Sequence, residues 1–365
     1  MTKIKKYQYK GGEIWLGYCI LNNIKTFIQT YNYSKIILIT VNKLYNLWNK
    51  KLDENLMFDD KILLQTGEQT KSIESVEYIC KKFVDFAVDR KSLIINFGGG
   101  MITDLGGFCA SIYMRGVDYI NIPTSLLAMV DASVGGKNGI NFCDIKNIIG
   151  AFNKPKMVLI DTQFLQTLPK RELNSAYGEI VKHAIIASEK YFHFLENWKK
   201  NSQKNDENLL KIIDFSLKIK KNFADKDFKE SGKRKILNFG HTIGHAIEAI
   251  SIALEEPFLH GEAVLIGMFF ETQIAVEIGL LKKNEAEKIY DCLHIYGLGE
   301  LLEKMKKNRN FFKIDEIIKK MKKDKKNENS SIKIVLPVRV GRCKYDISAS
   351  EKQIIKILNG YVYGE

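Results

Sequence analysis

A chain of 365 residues, 45% hydrophobic and 11% aromatic, can fill more than one core; single cores stop growing at about 250–300 residues, so two domains are expected. The longest apolar run, AVLIGMFF at 263–270, is far short of the ~20 residues of a membrane helix, and the basic start MTKIKKYQYKGG lacks the apolar stretch of a secretion signal; a cytoplasmic protein with no membrane partner is expected. The net charge of +13 leaves a nucleic-acid footprint or a lysine-rich chain with an anionic substrate, and because KIKKNFADKDFK and KKMKKDKKNENSS interleave lysines with acids, a solvated lysine face is the commoner cause and no nucleic acid is expected.

Short β-branched runs come first: KIILIT (35–40), KILLQTG (61–67), SLIINFG (92–98), DYINIP (118–123) and KMVLID (156–161). Spacings of about 26 to 39 residues suit strand, helix, strand units, which predicts an α/β domain with a largely parallel sheet. From about residue 164 long segments such as ENLLKIIDFSLKIKKNF and HGEAVLIGMFFETQIAVEIGLL carry apolar residues at helical spacing, followed by one hairpin at SIKIVLPVRVGRCKYDI. The second half is expected to be helical, and the boundary to be a packed cleft that can hold a ligand. Six cysteines, no two closer than about thirty positions, fit neither a disulfide framework nor a metal knuckle and read as reduced, mostly buried thiols.

In LIINFGGGMITDLGGF a strand runs into Gly98, Gly99 and Gly100 and then a helix start. Backbone without Cβ atoms approaches a pyrophosphate closely, so this is either a dinucleotide-type turn or a simple tight turn. GEQTKS places Glu68 and Lys71 at an earlier strand end, where ribose and phosphate bind in such sheets. SVGGKNGIN is not a phosphate-binding P-loop, because Asn138 stands where the magnesium-holding Ser or Thr belongs.

The second half holds candidate metal ligands: Glu179 in SAYGEIVKHAI, His241 and His245 in RKILNFGHTIGHA, and His260 in FLHGEAV. The four-residue spacing puts His241 and His245 on one helical face, leaving open whether both, one or neither binds an ion. His183, His193 and His294 read as structural hydrogen-bonders. Lys137, Lys146, Lys182, Arg234 and the DKK lysines are counter-charges that suit a phosphorylated acid.

The ordered stretches GGGMITDLGGFCASIYMRGVDYINIPTSLLAMVDASVGGKNGIN, KNIIGAFNKPKMVLIDTQFLQTLPKREL, GEIVKHAI and RKILNFGHTIGHAIEA resemble the 3-dehydroquinate synthase family of the sugar phosphate cyclase superfamily, over about residues 35 to 340. The resemblance implies a Rossmann-like NAD-binding domain at 1–163 and a mainly helical metal- and substrate-binding domain at 164–365, with the active site in the cleft between them. It implies a homodimer and a lyase that eliminates phosphate from a phosphorylated sugar acid, using NAD and zinc or cobalt. Metal ligands would be Glu179, His241 and His260. NAD contacts would be Asn42, Glu68, Lys71, Gly99, Gly100, Met101, Asp104, Thr124, Ser125, Lys137, Lys146, Phe164 and Thr167. Substrate contacts would be Arg115, Asp131, Lys137, Asn147, Glu179, Lys182, Lys220, Arg234, Asn238 and Lys325. His245 and Glu230 match proton-transfer positions, while Lys137, Lys182 and Arg234 would direct the catalytic steps.

The chain departs from the family pattern at four places. Val41 stands where an Asp or Asn usually meets the ribose, leaving Asn42; Tyr177 sits in a run that is often Ser-Gly-x-Ala-Glu; Phe228 replaces an acid near Glu230; and SIALEEPFL lengthens the spacer to His260, as a surface insertion can do at low cost. The alternatives are a related cyclase, of 2-deoxy-scyllo-inosose or valiolone type, and a glycerol-type metal-dependent dehydrogenase, which would accumulate NADH.

Overall fold

The structure, a computed structural model, describes residues 4–143, 145–200, 206–322 and 332–362. The chain divides into two compact units, Met1–Pro169 with Lys220–Lys229, and Lys170–Ile219 with Glu230–Glu365.

The first unit contains strands β1 (Lys5–Tyr9), β2 (Gly12–Gly17), β3 (Ile36–Val41), β4 (Asp60–Leu64), β5 (Leu93–Gly98), β6 (Asp118–Pro123), β7 (Lys137–Phe142), β8 (Ile145–Phe152) and β9 (Met157–Asp161). Seven of them form one sheet in the order β1-β2-β9-β6-β5-β3-β4, antiparallel only between β1 and β2. Every residue of β3, β5 and β9 is buried, as continuous apolar runs are when both faces of a parallel sheet are covered. On one face Ile37, Ile39, Ile62 and Ile94 pack with Val76, Ile79 and Phe83 of helix Ile73–Asp85 and with Ile102, Leu105 and Phe108 of helix Gly100–Ile112. On the other, Phe97 meets Phe164 edge-on at 4.9 Å, and Phe164 meets Trp48 of helix Asn42–Leu56 at the same distance. Alternate residues of β5 thus serve opposite layers.

The five β-branched runs became β3, β4, β5, β6 and β9. The β1–β2 hairpin was not expected, because KKYQY has little apolar content; β2 is held beside β9, with Ile14 opposite Val158 and Leu16 opposite Ile160. The β7–β8 ribbon was also missed, since glycines at 136, 139 and 150 read as loop. Gly139 and Gly150 are paired there, and a Cβ on Gly150 would lie 2.4 Å from the Asn138 carbonyl oxygen. The cysteines are all free, but only Cys109, Cys292 and Cys343 are buried, whereas Cys19 and Cys143 are exposed. "Mostly buried" is therefore corrected: both exposed thiols sit in turns outside any packed face.

The second unit is organised around helix His260–Glu277, apolar on nearly every side and buried accordingly. Helices Tyr177–Ala187, His241–Ser251, Lys283–Ile295 and Glu351–Val362 pack on it, as does β10 (Ile332–Arg339), which pairs with β11 (Arg342–Ala349) in the expected late hairpin. A Cβ on Gly261 would lie 1.8 Å from the Ser175 carbonyl oxygen, and one on Gly267 would lie 1.9 Å from that of Gly240. Only glycine permits these backbones to meet. Tyr177, the departure in SAYGE, is core: it stacks on Trp198 at 5.5 Å and on Tyr296 at 5.2 Å. The inserted spacer leaves Ile252, Glu255 and Glu256 exposed and is closed at its base by the Phe258 amide donating to Ser251 Oγ. No helix among the described residues is long and apolar enough to cross a membrane.

Candidate active site

In the first unit the glycine turn links β5 to helix Gly100–Ile112, with Gly99 in extended backbone at the helix start. Helix and sheet approach so closely that a Cβ on Gly106 would lie 1.9 Å from Asn96 Oδ1. Beside the turn, the Thr124 amide donates to the Gly98 carbonyl at 2.9 Å, and Ser125 Oγ accepts from the Ala128 amide at 3.3 Å. Gly99, Gly100, Thr124 and Ser125 therefore gather at the carboxyl ends of β5 and β6, where open α/β sheets bind nucleotides. Met101 packs half-buried on the core from the first helical turn.

Next to this edge lies a polar network. Lys71, only 4% exposed, donates to Asp104 Oδ2 at 2.6 Å and to Asn147 Oδ1 at 2.5 Å. Asn141 Nδ2 donates to Glu68 Oε1 at 3.0 Å, and Asn141 Oδ1 accepts from the Asn147 amide at 3.0 Å. Burial raises the Asp104 carboxyl above the usual range despite the Lys71 ammonium beside it. Asn141 was absent from the sequence-derived set; in SVGGKNGIN only its place in β7 reveals it. Elsewhere in the unit Lys220 and Asp131 form an ion pair, and Thr167 Oγ1 accepts from Trp48 Nε1 at 3.2 Å. Asn42 opens its helix with Nδ2 3.5 Å from the Leu64 carbonyl oxygen. Arg115, Lys137 and Lys146 stand exposed, the first on a turn and the others on the β7–β8 ribbon. Phe164 is 1% exposed and is a core residue. Phe228 packs on Phe152 at 5.6 Å with Lys154 5.1 Å over its ring, which accounts for an aromatic residue there.

In the second unit Glu179 is wholly buried on the first turn of helix Tyr177–Ala187. Its Oε1 lies 3.3 Å from His241 Nε2 and 3.4 Å from His260 Nε2. Each histidine opens its own helix. His241 Nδ1 lies 3.1 Å from the Phe239 carbonyl oxygen and His260 Nδ1 lies 3.3 Å from Glu248 Oε2. An Nδ1–H donated to each of these oxygens would leave each Nε2 to serve an ion, the tautomer a metal ligand needs. A tetrahedral ion ~2.0–2.2 Å from its ligands requires them roughly 3.3–3.6 Å apart, and the two distances from Glu179 to the imidazoles, 3.3 and 3.4 Å, meet that spacing.

His245 is exposed, its ring 4.9 Å from that of His241 and 5.8 Å from that of His260. Since one nitrogen from each of the three imidazoles lies within 4.8 Å of the others, a three-histidine arrangement is the geometric alternative. Burial, then the nearby Lys182 ammonium, holds His241 well below its ordinary value, outweighing Glu179. At His260 burial acts in the same direction but is outweighed by Glu248 and Glu179, which push it up to about 10. An ion binding here must displace that proton. Lys182, 1% exposed, pairs with Glu179 Oε2, and His183 Nε2 lies 4.0 Å from the same oxygen. Arg234 is buried on the turn Lys233–Asn238, where Asn238 Nδ2 donates to Glu230 Oε1 at 2.5 Å. Lys325 lies outside the described residues. Glu248 was missed as well, because its partner is twelve residues away in another helix.

Residues 61–175 match the family described as 3-dehydroquinate synthase N-terminal, and residues 176–327 the one described as 3-dehydroquinate synthase C-terminal. Relatives named 3-dehydroquinate synthase include that of Dictyoglomus thermophilum, 42% identical over 100% of this chain and 98% of its own. That of Campylobacter hominis is 38% identical over 93% of this chain and 97% of its own. Among solved structures, a 2-deoxy-scyllo-inosose synthase complexed with carbaglucose-6-phosphate, NAD+ and Co2+ aligns with a TM-score of 0.86 at 22% identity, covering 98% of this chain and 100% of that one. A 2-epi-5-epi-valiolone synthase from Streptomyces hygroscopicus with NAD+ and Zn2+ bound gives 0.84 at 24%, covering 100% and 99%. At such identities these two share the fold.

Proposed function

The chain belongs to the 3-dehydroquinate synthase family, and from that premise we propose how its residues convert 3-deoxy-D-arabino-heptulosonate 7-phosphate into 3-dehydroquinate and phosphate. When bound, NAD supplies a transient hydride acceptor and a zinc or cobalt ion supplies Lewis acidity toward a substrate hydroxyl. Glu179, His241 and His260 hold the ion, with the Phe239 carbonyl and Glu248 orienting the two imidazoles. The Gly99–Gly100 turn and the amides of the first helical turn receive the pyrophosphate, aided by the dipole. Asn42, Glu68, Lys71, Asp104, Thr124, Ser125, Lys146 and Thr167 contact the rest of the nucleotide, and Phe164 shapes the floor from the core.

Lys137, Lys182 and Arg234 hold phosphate and carboxylate, assisted by Arg115, Asp131, Asn147, Lys220, Asn238 and Lys325. Oxidation of the hydroxyl makes a ketone that acidifies the neighbouring C–H, so phosphate leaves by elimination. The ketone is then reduced again, and the ring opens and recloses through carbon, with no net redox change. His245, exposed beside the half-buried His241 and His260, and Glu230, bonded to Asn238, move the protons.

The observation that carries this reading is the convergence of both imidazoles on one oxygen of Glu179, at 3.3 and 3.4 Å. The test is to incubate the purified protein with the heptulosonate phosphate, catalytic NAD and zinc, and to follow inorganic phosphate. Release without accumulating NADH is expected. Turnover of glucose 6-phosphate or sedoheptulose 7-phosphate instead would overturn the substrate assignment.

A further inference from the structure

We propose that helices His241–Ser251 and His260–Glu277 set the ion site through a reciprocal carboxylate clamp, in which each helix supplies one metal ligand and one buried glutamate that positions the other helix's ligand. From the first helix Glu248, 6% exposed, brings Oε2 to 3.3 Å from His260 Nδ1. From the second, Glu271, 0% exposed, accepts from the Gly240 amide through Oε2 at 2.6 Å and from the Ile243 amide through Oε1 at 3.3 Å. Those two amides flank His241.

The need for Glu271 follows from the local sequence. A helix start normally recruits a Ser, Thr, Asp or Asn side chain for its orphan amides. Here the capping position is Gly240, at φ +79°, with no side chain to offer. A carboxylate sent across from the neighbouring helix takes that role and places negative charge at the positive end of the dipole. A charged residue in the apolar run AVLIGMFFETQIAV is costly unless its oxygens are bonded, and both of them are. The two helices cannot drift apart or rotate freely, because they cross at glycine contacts: a Cβ on Gly267 would lie 1.9 Å from the Gly240 carbonyl oxygen, and one on Gly244 would lie 2.8 Å from that of Ala263. His241 is thereby pinned by the helix that begins with His260, and His260 is oriented by the helix that begins with His241. Glu248 and Glu271 are positioning residues, and the spacing of the two ligands is set as a pair.

This inference rests on the ion site proposed above, and the test separates the two. Wild-type, Glu248→Gln, Glu271→Gln and the double variant are loaded with cobalt, and affinity is read by chelator competition alongside the visible cobalt absorption. Ile213→Ala, a buried change in helix Asp206–Lys226, controls for general destabilisation. Each glutamine variant is expected to bind cobalt about 10–100-fold more weakly with altered bands. The double variant should lose less than the product of the single losses, because the two side chains fix one geometry. Ile213→Ala should lower the Tm and leave affinity and bands unchanged. If Glu271→Gln does not fold, Glu271→Asp, which keeps the charge but shortens its reach, carries the same expectation. Wild-type cobalt affinity and spectra in both glutamine variants would overturn the clamp. A wild-type protein that takes up neither cobalt nor zinc would overturn the ion site itself.

Discussion

Replacing Lys71 with Met tests the nucleotide-side network by removing a buried ammonium while keeping its aliphatic volume. The wild-type Nζ is bonded to Asp104 at 2.6 Å and Asn147 at 2.5 Å. Removing one partner of a buried ion pair costs ~3–5 kcal/mol, because the other charge is left behind. Asp104 keeps 19% of its side chain exposed, so the lower end, about 3 kcal/mol near neutral pH, is expected. The loss must depend on pH. Burial already raises Asp104 above its unfolded value of 3.8, so the folded state binds that proton more tightly than the unfolded chain. Such a group lowers stability as pH rises from the unfolded value through the folded one. Without Lys71 the folded value climbs further, so the deficit of the variant should be largest near neutrality and shrink on acidification. Urea unfolding at about pH 7.5 and about pH 5, without nucleotide, measures both quantities. Asp104→Asn placed on Lys71→Met should recover part of the loss. A deficit below about 1 kcal/mol near neutrality, or one unchanged at the lower pH, would refute the buried-pair reasoning.

Three further outcomes are expected. His260→Ala should lose bound ion and turnover together, since two ligands do not hold a catalytic ion well; full metal content by elemental analysis would remove His260 from the ligand set. His245→Asn should keep the ion and lose roughly 10²–10⁴-fold in kcat, whereas loss of the ion would favour the three-histidine arrangement. Gly267→Ala places a Cβ 1.9 Å from the Gly240 carbonyl oxygen and should destabilise the protein by roughly 1–3 kcal/mol or more. An unchanged Tm would show that the two helices can separate, contrary to the packing described.

What could be read in advance follows from which signals are local. Runs such as IILITV and LIINFG declare buried parallel strands because both faces must be apolar, and helix His260–Glu277 declares itself by the same logic. Glu179, His241 and His260 were nameable as proposed ligands only through the family resemblance, because residue type and four-residue spacing left His241 and His245 undecided. Asn141, Glu248 and Glu271 were not nameable, because each acts only on a residue that another element brings to it. The β7–β8 ribbon escaped notice because its glycines serve cross-strand approach, which looks like loop composition in one dimension.

Backbone conformation at two proposed substrate contacts and one proposed proton-transfer residue was equally hidden, and it carries a consequence. Arg115, Asn147 and Glu230 all adopt left-handed backbone, at φ +67°, +53° and +57°. That region costs an L-residue roughly 1–2 kcal/mol, and glycine at each position would relieve it. A side chain is retained nonetheless, and around two of the three the structure shows what holds the strain. Asn147 is fixed by Lys71 through its side chain and by Asn141 through its amide, and Glu230 is bonded to Asn238. The strain aims a polar group that a relaxed backbone would turn elsewhere. Glycine at Asn147 relieves the backbone but deletes an acceptor of the buried Lys71 ammonium, so a net loss of about 1–2 kcal/mol is expected there. At Glu230 the relief and the lost bond to Asn238 should roughly cancel, so urea unfolding should change by less than about 1 kcal/mol while kcat/KM falls, the opposite of what a purely structural residue would do.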